Sequence, residues 1–563
     1  MLKKRTTVTV KRKVELTVGQ VIRQMTHINR FKKALRNPLQ AQTDKLMEIV
    51  RANENSEFGR KHHFARINSI ADFQRLVPQT NYEMIRPYID QMLAGKNGLL
   101  TTEPAIMFAT TSGTTGKPKY LPITESHVKD YAHAFQVHNY KMINDLPLAA
   151  SGSFLIFTSN DEDGITDGGV PHGSVSGLLR KRQSPLVQKF FALPQCIGRI
   201  KDVESKYYTM LRLGLAQDVT AILGCNPSSF LLFADQLAEH GGDLIADIFD
   251  GTLRKRYSPP PVVMEQLGDL LKPNRERALQ LEEIMKEHGQ LTPQAVWPNL
   301  SLLSCWKGGP LSFYLERLPN HYGSLPIRDF GYMASEGRGT IPLGNDGAGG
   351  ALAVSCHFFE FVEENDLDSP SPKFLTVDRL EQGGRYYIHF TTAAGLYRYN
   401  IHDLVEVVGL QDKTPIIQFV QKGLGISSIT GEKLTEEQVQ VALRYAVRQL
   451  NLYDLDHFTF AVQIGYPPNY VCFVELKREI PSSVADEFLR IFEQSLQLQN
   501  IEYKDKRTSR RLGAPTLQVV PPGTFTKLRQ QRVAQGAPEA QVKIPLLNSA
   551  QQFTDTIMKL SDS

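Results

Sequence analysis

From Thr110 to Gly116 the chain places five hydroxyl side chains and two glycines within seven residues, and Lys117 and Lys119 follow at the exit. Glycine lets a backbone close tightly on an anion, while hydroxyls and backbone N–H groups donate to phosphate oxygens. An apolar run, Ala105 to Ala109, leads in as a strand, and Leu121-Pro122-Ile123 resumes a second strand afterwards. Thr111, Ser112, Gly113, Thr114, Thr115, Gly116 and Lys119 therefore read as a cradle on a hairpin for a nucleoside triphosphate. It is not a P-loop: Gly113 and Gly116 are three apart, and Lys117 precedes a proline rather than opening a helix.

Three further stretches carry chemistry. In Asp329-Phe330-Gly331-Tyr332-Met333-Ala334-Ser335-Glu336-Gly337 an aromatic ring can stack on a base, and a carboxylate near a triphosphate can hold Mg2+. A purely structural Tyr and Glu is the competing reading. In Leu396-Tyr397-Arg398-Tyr399-Asn400-Ile401-His402-Asp403 an aspartate entering an apolar strand can accept both ribose hydroxyls. The competing reading is a surface salt bridge between Arg398 and Asp403. In Gln541-Val542-Lys543-Ile544-Pro545 a lone lysine can neutralise charge developing at a phosphate; otherwise it is a solvated cation.

Two near-matches fail. Asp161-Glu162-Asp163-Gly164 lacks the later ligands and closing Glu of an EF-hand. Pro171 to Gly177 misses G-x-S-x-G because Val175 stands at the nucleophile position, which argues against a serine hydrolase.

The elements that must position these residues follow from periodicity. Residues 17–60 are helical, Asn68 to Leu76 is a helix that Ser69 can cap, and Tyr82 to Leu93 is the next. After the cradle come a helix (Glu125 to Ile143), a strand (Ser153 to Phe157), a loop (Asn160 to Gly169), a strand (Ala221 to Leu223), a helix (Pro227 to Ala238) and a strand (Leu300 to Cys305). Such alternation predicts α/β layering. Phe358 to Val362, Arg385 to Thr391 and Leu404 to Val408 are strands of a mixed sheet or distorted barrel. Gly423, Gly425, Ser427, Ser428 and Gly431 mark a hinge. Beyond it, a helix (Thr435 to Gln449), two strands (Phe458 to Ile464 and Tyr470 to Leu476), a helix (Pro481 to Leu498) and a strand (Leu517 to Val520) form a separate α+β domain.

At 563 residues the chain is too long for one core. A formal charge of +5 is small for that length, so bulk electrostatics do not suggest a nucleic-acid partner. The basic clusters Lys3-Lys4-Arg5 and Lys11-Arg12-Lys13 read as a solvated terminus. No apolar run approaches a membrane span, and no secretory h-region is present. Five scattered cysteines with no C-x-x-C predict reduced thiols in a cytoplasmic protein and no zinc site.

In order, the cradle, the Tyr/Glu turn, the Tyr-Arg…Asp strand, the hinge and the late lysine resemble the signatures of adenylate-forming enzymes. More closely, the chain resembles the Gretchen-Hagen-type (auxin-responsive promoter) family of acyl acid amido synthetases, in particular its bacterial branch. The likeness runs from about residue 45 to about 547. It includes Asn55 to Arg60, Arg86 to Ile89, Gly168 to Ser174 and Gly431 to Glu436.

This resemblance implies a luciferase-like α/β fold. Residues 1–420 would bind ATP and acid, 421–431 would be the hinge, and 432–563 a mobile C-terminal domain. It implies that a carboxylic acid and MgATP give acyl-AMP and pyrophosphate, after which an amine, expected to be an amino acid, takes the acyl group and AMP leaves. Carried over by position, Thr111 to Thr115 hold phosphate and Tyr332 lies near adenine. Ser335 and Glu336 lie near phosphate and metal, Asp403 at the ribose, and Lys422 at the hinge, with Lys543 and Glu336 catalytic. The acid pocket would lie near Val170 to Ser174 and Phe230 to Phe233.

The chain departs from the family pattern at Met333 (a glycine position), Asn400, His402, Lys422 and Leu546. Two alternatives stay open: transfer of the same adenylate to coenzyme A, and a nucleotide-binding homologue with impaired catalysis. The motifs leave the acid, the amine and the oligomeric state open.

Overall fold

The computed structural model describes residues 10–111, 119–157, 159–308, 311–367, 369–423, 425–452, 455–476, 480–534 and 544–562. They divide into two compact units, one of residues up to 110 and 120–421, the other of Thr111, Lys119 and the residues from Lys422 onward.

Three sheets frame the first unit. In one, Ser153–Ile156, Val219–Leu223, Leu302–Cys305 and Ile327–Asp329 pair in that order, all parallel. Val219–Leu223 is buried at every position, as expected of a strand covered on both faces. In the second, Lys119–Ile123 and Met107–Thr111 are hydrogen-bonded neighbours, and Met107–Thr111 pairs parallel with Pro171–Gly173. The third has six strands: Phe358–Glu363, Arg385–Thr391, Tyr399–Gln411, Thr414–Lys422, Gly350–Leu352 and Thr340–Ile341. The expected α/β layering and the expected strand-rich stretch are thus both present, the latter as an open sheet.

Local chemistry sets the helix ends. Ser69 Oγ accepts from the Asp72 N–H at the start of Ile70–Leu76, and Asn81 accepts from Met84 at the start of Tyr82–Leu93. Thr124 caps the long helix Glu125–Asp145. A helix Val10–Arg23 runs through a π-helical turn, Gln24–Ile28, into Asn29–Arg36.

In the second unit, Thr516–Val520, Asn469–Leu476, Leu455–Gln463 and Leu547–Asn548 form one sheet. Helices Glu436–Leu450 and Ser482–Gln499 pack against each other, and Thr435 with Gln438 makes a capping box at the first. Within the glycine-bearing segment read as a hinge, Ile426–Ser427 pairs with Leu434–Thr435. The buried Glu432 carboxylate accepts from the Ile429 and Thr430 amides.

No helix among the described residues is long and apolar enough to cross a membrane, and all five cysteines are free thiols.

The first core contains an unusual set of imidazoles. His127, His133, His138 and His357 are all buried, and His127 and His357 stack with centroids 5.4 Å apart. Burial holds the His127 pKa down at about 4, helped by Lys45, and that of His133 at about 3. The folded-state value lies below the unfolded one, near 6.5. The unfolded chain therefore takes up a proton that the folded chain refuses, and stability falls as pH drops from 6.5 toward 4. Each such group contributes about 1.4 kcal/mol per pH unit inside its window. We expect His127→Phe to flatten the pH dependence of the urea midpoint by about one proton between pH 6 and 4.5. An unchanged slope would remove His127 from the acid response.

Candidate active site

The parallel-sheet strand Ile327–Asp329 delivers the chain into a tight turn. Asp329 accepts from the Lys307 and Gly331 amides, and burial pushes its carboxyl up to about 6 against those bonds. Gly331 has φ +87°, and a Cβ there would sit 2.8 Å from Arg338 Nη2 and from the Thr340 carbonyl oxygen, so only glycine fits. The Tyr332 amide then donates to Thr340 Oγ1 at 2.8 Å, while the Ala334 and Gly337 backbones exchange hydrogen bonds. Ser335 and Glu336 are left as the two central residues of the turn, both partly exposed.

Arg338, wholly buried beneath this turn, braces it. It donates to the Phe330 and Thr340 carbonyls at 2.7 and 2.8 Å, reaches Met333 Sδ at 3.1 Å, and lies over the Phe135 ring. The Tyr131 hydroxyl donates to the Ala334 carbonyl at 3.0 Å.

Tyr332 meets Asp403 here. Its hydroxyl donates to Asp403 Oδ2 at 2.7 Å across 71 residues of sequence, and its ring stacks on Phe419. Asp403 is buried in the strand Tyr399–Gln411. Just before it, Arg398 and His402 both hold left-handed backbone, with φ +47° and +59°. The Asn400 side chain accepts from the His402 amide at 2.8 Å and stabilises that kink. His402, one of the departures from the family pattern, thus occupies a left-handed conformation that glycine adopts readily.

The expected competitor, a salt bridge from Arg398 to Asp403, is not what forms. Arg398 turns the other way, to Glu360 Oε2 at 2.9 Å, to the Gln74 and Val77 carbonyls and over the Phe374 ring.

Cradle residues Ser112, Gly113, Thr114, Thr115 and Gly116 lie outside the described residues, as does Lys543. Thr111 and Lys119 end the strands that flank the cradle. Those flanks are tied down: Thr110 Oγ1 lies 3.2 Å from His172 Nδ1, the Tyr120 ring meets His172 edge-on, and the Tyr120 amide donates to the Tyr82 hydroxyl at 3.0 Å. Lys422 ends the strand Thr414–Lys422.

A cavity of about 160 Å³ opens beside the turn. Phe135, Phe154, Phe157, Phe190, Phe330 and Met333 supply much of its apolar wall. Met333 therefore belongs both to the Ser335–Glu336 turn and to the cavity. An apolar cavity near 150 Å³ holds a benzene ring. None of Val170 to Ser174 or Phe230 to Phe233, the stretches expected to line an acid pocket, is in this wall. Phe230 and Phe233 are fully buried in the neighbouring core, Phe233 stacked on Trp297. The wall is assembled from segments far apart in the chain; its only local signal is the aromatic pair Phe190-Phe191 after Phe154 and Phe157.

Three family models match the chain: "GH3 family N-terminal domain" over 27–327, "GH3 family central domain" over 350–422 and "GH3 family C-terminal domain" over 437–552. Among curated proteins, the chain is 26% identical over 554 residues to jasmonoyl–L-amino acid synthetase GH3.5 of Oryza sativa subsp. japonica, covering 92% of this chain and 94% of that one. It is 28% identical over 568 residues to indole-3-acetic acid-amido synthetase GH3.5 of Arabidopsis thaliana, covering 94% and 92%. A solved GH3.15 acyl acid amido synthetase superposes with a TM-score of 0.65 at 24% identity, covering 95% of each chain, and shares the fold. These relatives are plant proteins, so the expected bacterial branch finds no support in them.

Proposed function

We propose, from the premise that this chain belongs to the GH3 family, that it is an ATP-dependent ligase joining a carboxylic acid to an amine. In the first half-reaction a carboxylate oxygen attacks the α-phosphorus of ATP, the bond to pyrophosphate breaks, and acyl-AMP forms. In the second, the amine nitrogen attacks the acyl carbon and loses a proton, and AMP departs. An amino acid is the proposed amine, in keeping with the amino acid and amido synthetases it resembles.

One observation carries this reading. The Tyr332–Asp403 hydrogen bond joins the two nucleotide signatures, and the same turn, through Met333, walls an apolar cavity. A nucleotide held at Asp403 and Ser335 and an acid held in the cavity would meet at the turn. Asp403 would accept from the ribose, Tyr332 would fix that carboxylate, and the cradle residues Thr111 to Gly116, with Lys119, would take the phosphates. Mg2+ binds through one or two carboxylates plus substrate phosphates rather than in an all-protein cage. Glu336, a single carboxylate at a partly exposed turn, suits that mode and would hold the ion, which would offset phosphate charge. Free cysteines support a cytoplasmic setting.

Pyrophosphate release over a panel of carboxylic acids, with amino acids or coenzyme A as acceptor, tests the proposal. We expect release with at least one aromatic or alicyclic acid, and amide rather than thioester as product. Thioester formation alone would move the chain to the acid–thiol alternative; ATP binding with no release from any acid would make it a nucleotide-binding homologue.

Lys543 is proposed to act only in the adenylation transition state. Loss of one preorganised charge costs about 10²–10³ in rate. Lys543→Ala should slow pyrophosphate release by that factor while Kd for ATP stays within about threefold, because the contact is absent from the ground state. Adenylation at the wild-type rate would make Lys543 a solvated surface residue.

A further inference from the structure

The cavity wall also contains a guanidinium that a purely apolar acid leaves unanswered. Arg23, the last residue of the helix Val10–Arg23, lines the cavity, with Leu16 about two turns before it on the same face. This helix lies before residue 27, where the family match begins. It contributes to the cavity from outside the matched span of that model. Gln20, on the same helix, anchors it to the helix Glu125–Asp145 by donating to the Tyr140 carbonyl at 3.1 Å and to Asn144 Oδ1 at 2.7 Å.

Arg23 is held but not neutralised. Its Nε donates to Gln136 Oε1 at 2.8 Å and one Nη to Gln20 Oε1 at 3.1 Å. Both acceptors are uncharged amides, and they use two of the five N–H donors that an arginine carries. No carboxylate pairs with Arg23 among the described residues. The imidazole of His27 lies within its electrostatic reach and is held toward the neutral form by burial, with Arg30 and Arg23 adding to the effect. Its pKa is lowered by burial alone, with no acidic group opposing the shift. A half-buried cation against aromatic walls is costly unless a counter-charge arrives, and a ligand in the cavity is in position to supply it. The second guanidinium in the wall, Arg180, is engaged with the Leu193 carbonyl and lies over the Phe191 ring, so it serves as wall.

We propose that Arg23 selects carboxylic acids bearing a second anionic group, such as aromatic dicarboxylates, by pairing with the anion that does not react. The reacting carboxylate is a poor partner for it. An ion pair there would stabilise the ground state, and that stabilisation would fade as the oxygen's charge is spent on phosphorus. A second anion keeps its charge throughout, so its pairing is retained in the transition state and raises kcat/KM. Sites built around a charged hydrogen-bonding group reject the analogue that lacks the partner. This inference rests on the proposed adenylation of acids in the same cavity.

The test is a ratio measured within each variant, so that losses from misfolding cancel. Pyrophosphate release is followed with benzene-1,4-dicarboxylate and benzene-1,3-dicarboxylate against 4-methylbenzoate and benzoate. The wild-type chain should favour the better dicarboxylate over its monoacid by at least tenfold in kcat/KM. Arg23→Met should reduce that ratio by about 10–100-fold, the worth of a charge-assisted hydrogen bond. Arg23→Glu should invert the preference, favouring 4-(aminomethyl)benzoate over benzene-1,4-dicarboxylate. A ratio unmoved in Arg23→Met, including equal losses for both acids because Arg23 holds the reacting carboxylate, overturns the proposal while turnover of the monoacids leaves the ligase reading standing. No release from any acid would overturn both.

Discussion

Arg398→Met is expected to destabilise the first unit by about 3–5 kcal/mol, and Asp403→Ala, which strands only the Tyr332 hydroxyl, by about 1–3 kcal/mol. The larger loss is the usual consequence of stranding one member of a buried ion pair. Arg398 and Glu360 are 6% and 1% exposed at their side chains and meet at 2.9 Å. The same guanidinium donates to the Gln74 and Val77 carbonyls at 3.0 and 2.8 Å and lies 4.0 Å from the Phe374 ring centroid. Without it, Glu360 would be a buried carboxylate with only Gln74 as partner, and burial already pushes its pKa up. The double variant Arg398→Met with Glu360→Gln should recover most of the loss, because no uncompensated charge then remains. Chemical denaturation of the three variants checks this. A loss below about 1 kcal/mol in the single variant would show that the carbonyls and the ring, not the charge pair, hold this corner.

That corner marks where sequence reasoning about the site goes astray, and the reason is geometric. Arg398 and Asp403 are five residues apart, near enough to suggest a salt bridge, whereas Glu360 is 38 residues away. The left-handed turns at Arg398 and His402 break the simple alternation of a strand and send the two side chains to different partners. The strand itself runs Tyr399–Gln411, although only its middle, Leu404 to Val408, reads as a continuous apolar run.

Local signals elsewhere carry the fold well. The helix Tyr82–Leu93 lies where its periodicity puts it, and Arg385–Thr391 coincides with its apolar run. What local pattern cannot contain is pairing at a distance. Pro171–Gly173, three residues that resemble a failed hydrolase motif, is a strand because Phe108 and Ala109 lie opposite His172 and Gly173. The cavity is hidden for the same reason, since its aromatic wall comes together only after the parallel sheet and the helix Glu125–Asp145 have packed. The Tyr332–Asp403 contact is intermediate. Resemblance marks both residues as expected nucleotide ligands, but it does not say that one would hold the other.

This contact sets the second expected result. Asp403→Ala should lower kcat/KM for ATP by about 10²–10⁴, because a carboxylate accepting from two ribose hydroxyls makes two charge-assisted hydrogen bonds worth roughly 1.5–3 kcal/mol each. Most of the loss should vanish when wild type and variant are compared with 2′,3′-dideoxy-ATP, which offers neither hydroxyl. Tyr332→Phe separates holding from binding. It removes the donor 2.7 Å from Asp403 Oδ2 but keeps the ring stacked on Phe419, whose centroid is 6.1 Å away. The carboxylate then loses one neutral donor and its fixed orientation, for which a fall of about tenfold or less is expected. In Asp403→Ala the buried Tyr332 hydroxyl loses its acceptor, so the double variant should be no worse than Asp403→Ala alone: with the carboxylate gone, the phenol has nothing left to orient. Steady-state kinetics on the four proteins, each with ATP and the dideoxy analogue, give the complete cycle. Asp403→Ala discriminating between the two nucleotides as sharply as wild type would sink the ribose assignment. Asp403 would then be a core carboxylate whose role ends at Tyr332, and the nucleotide would have to be held by the cradle alone.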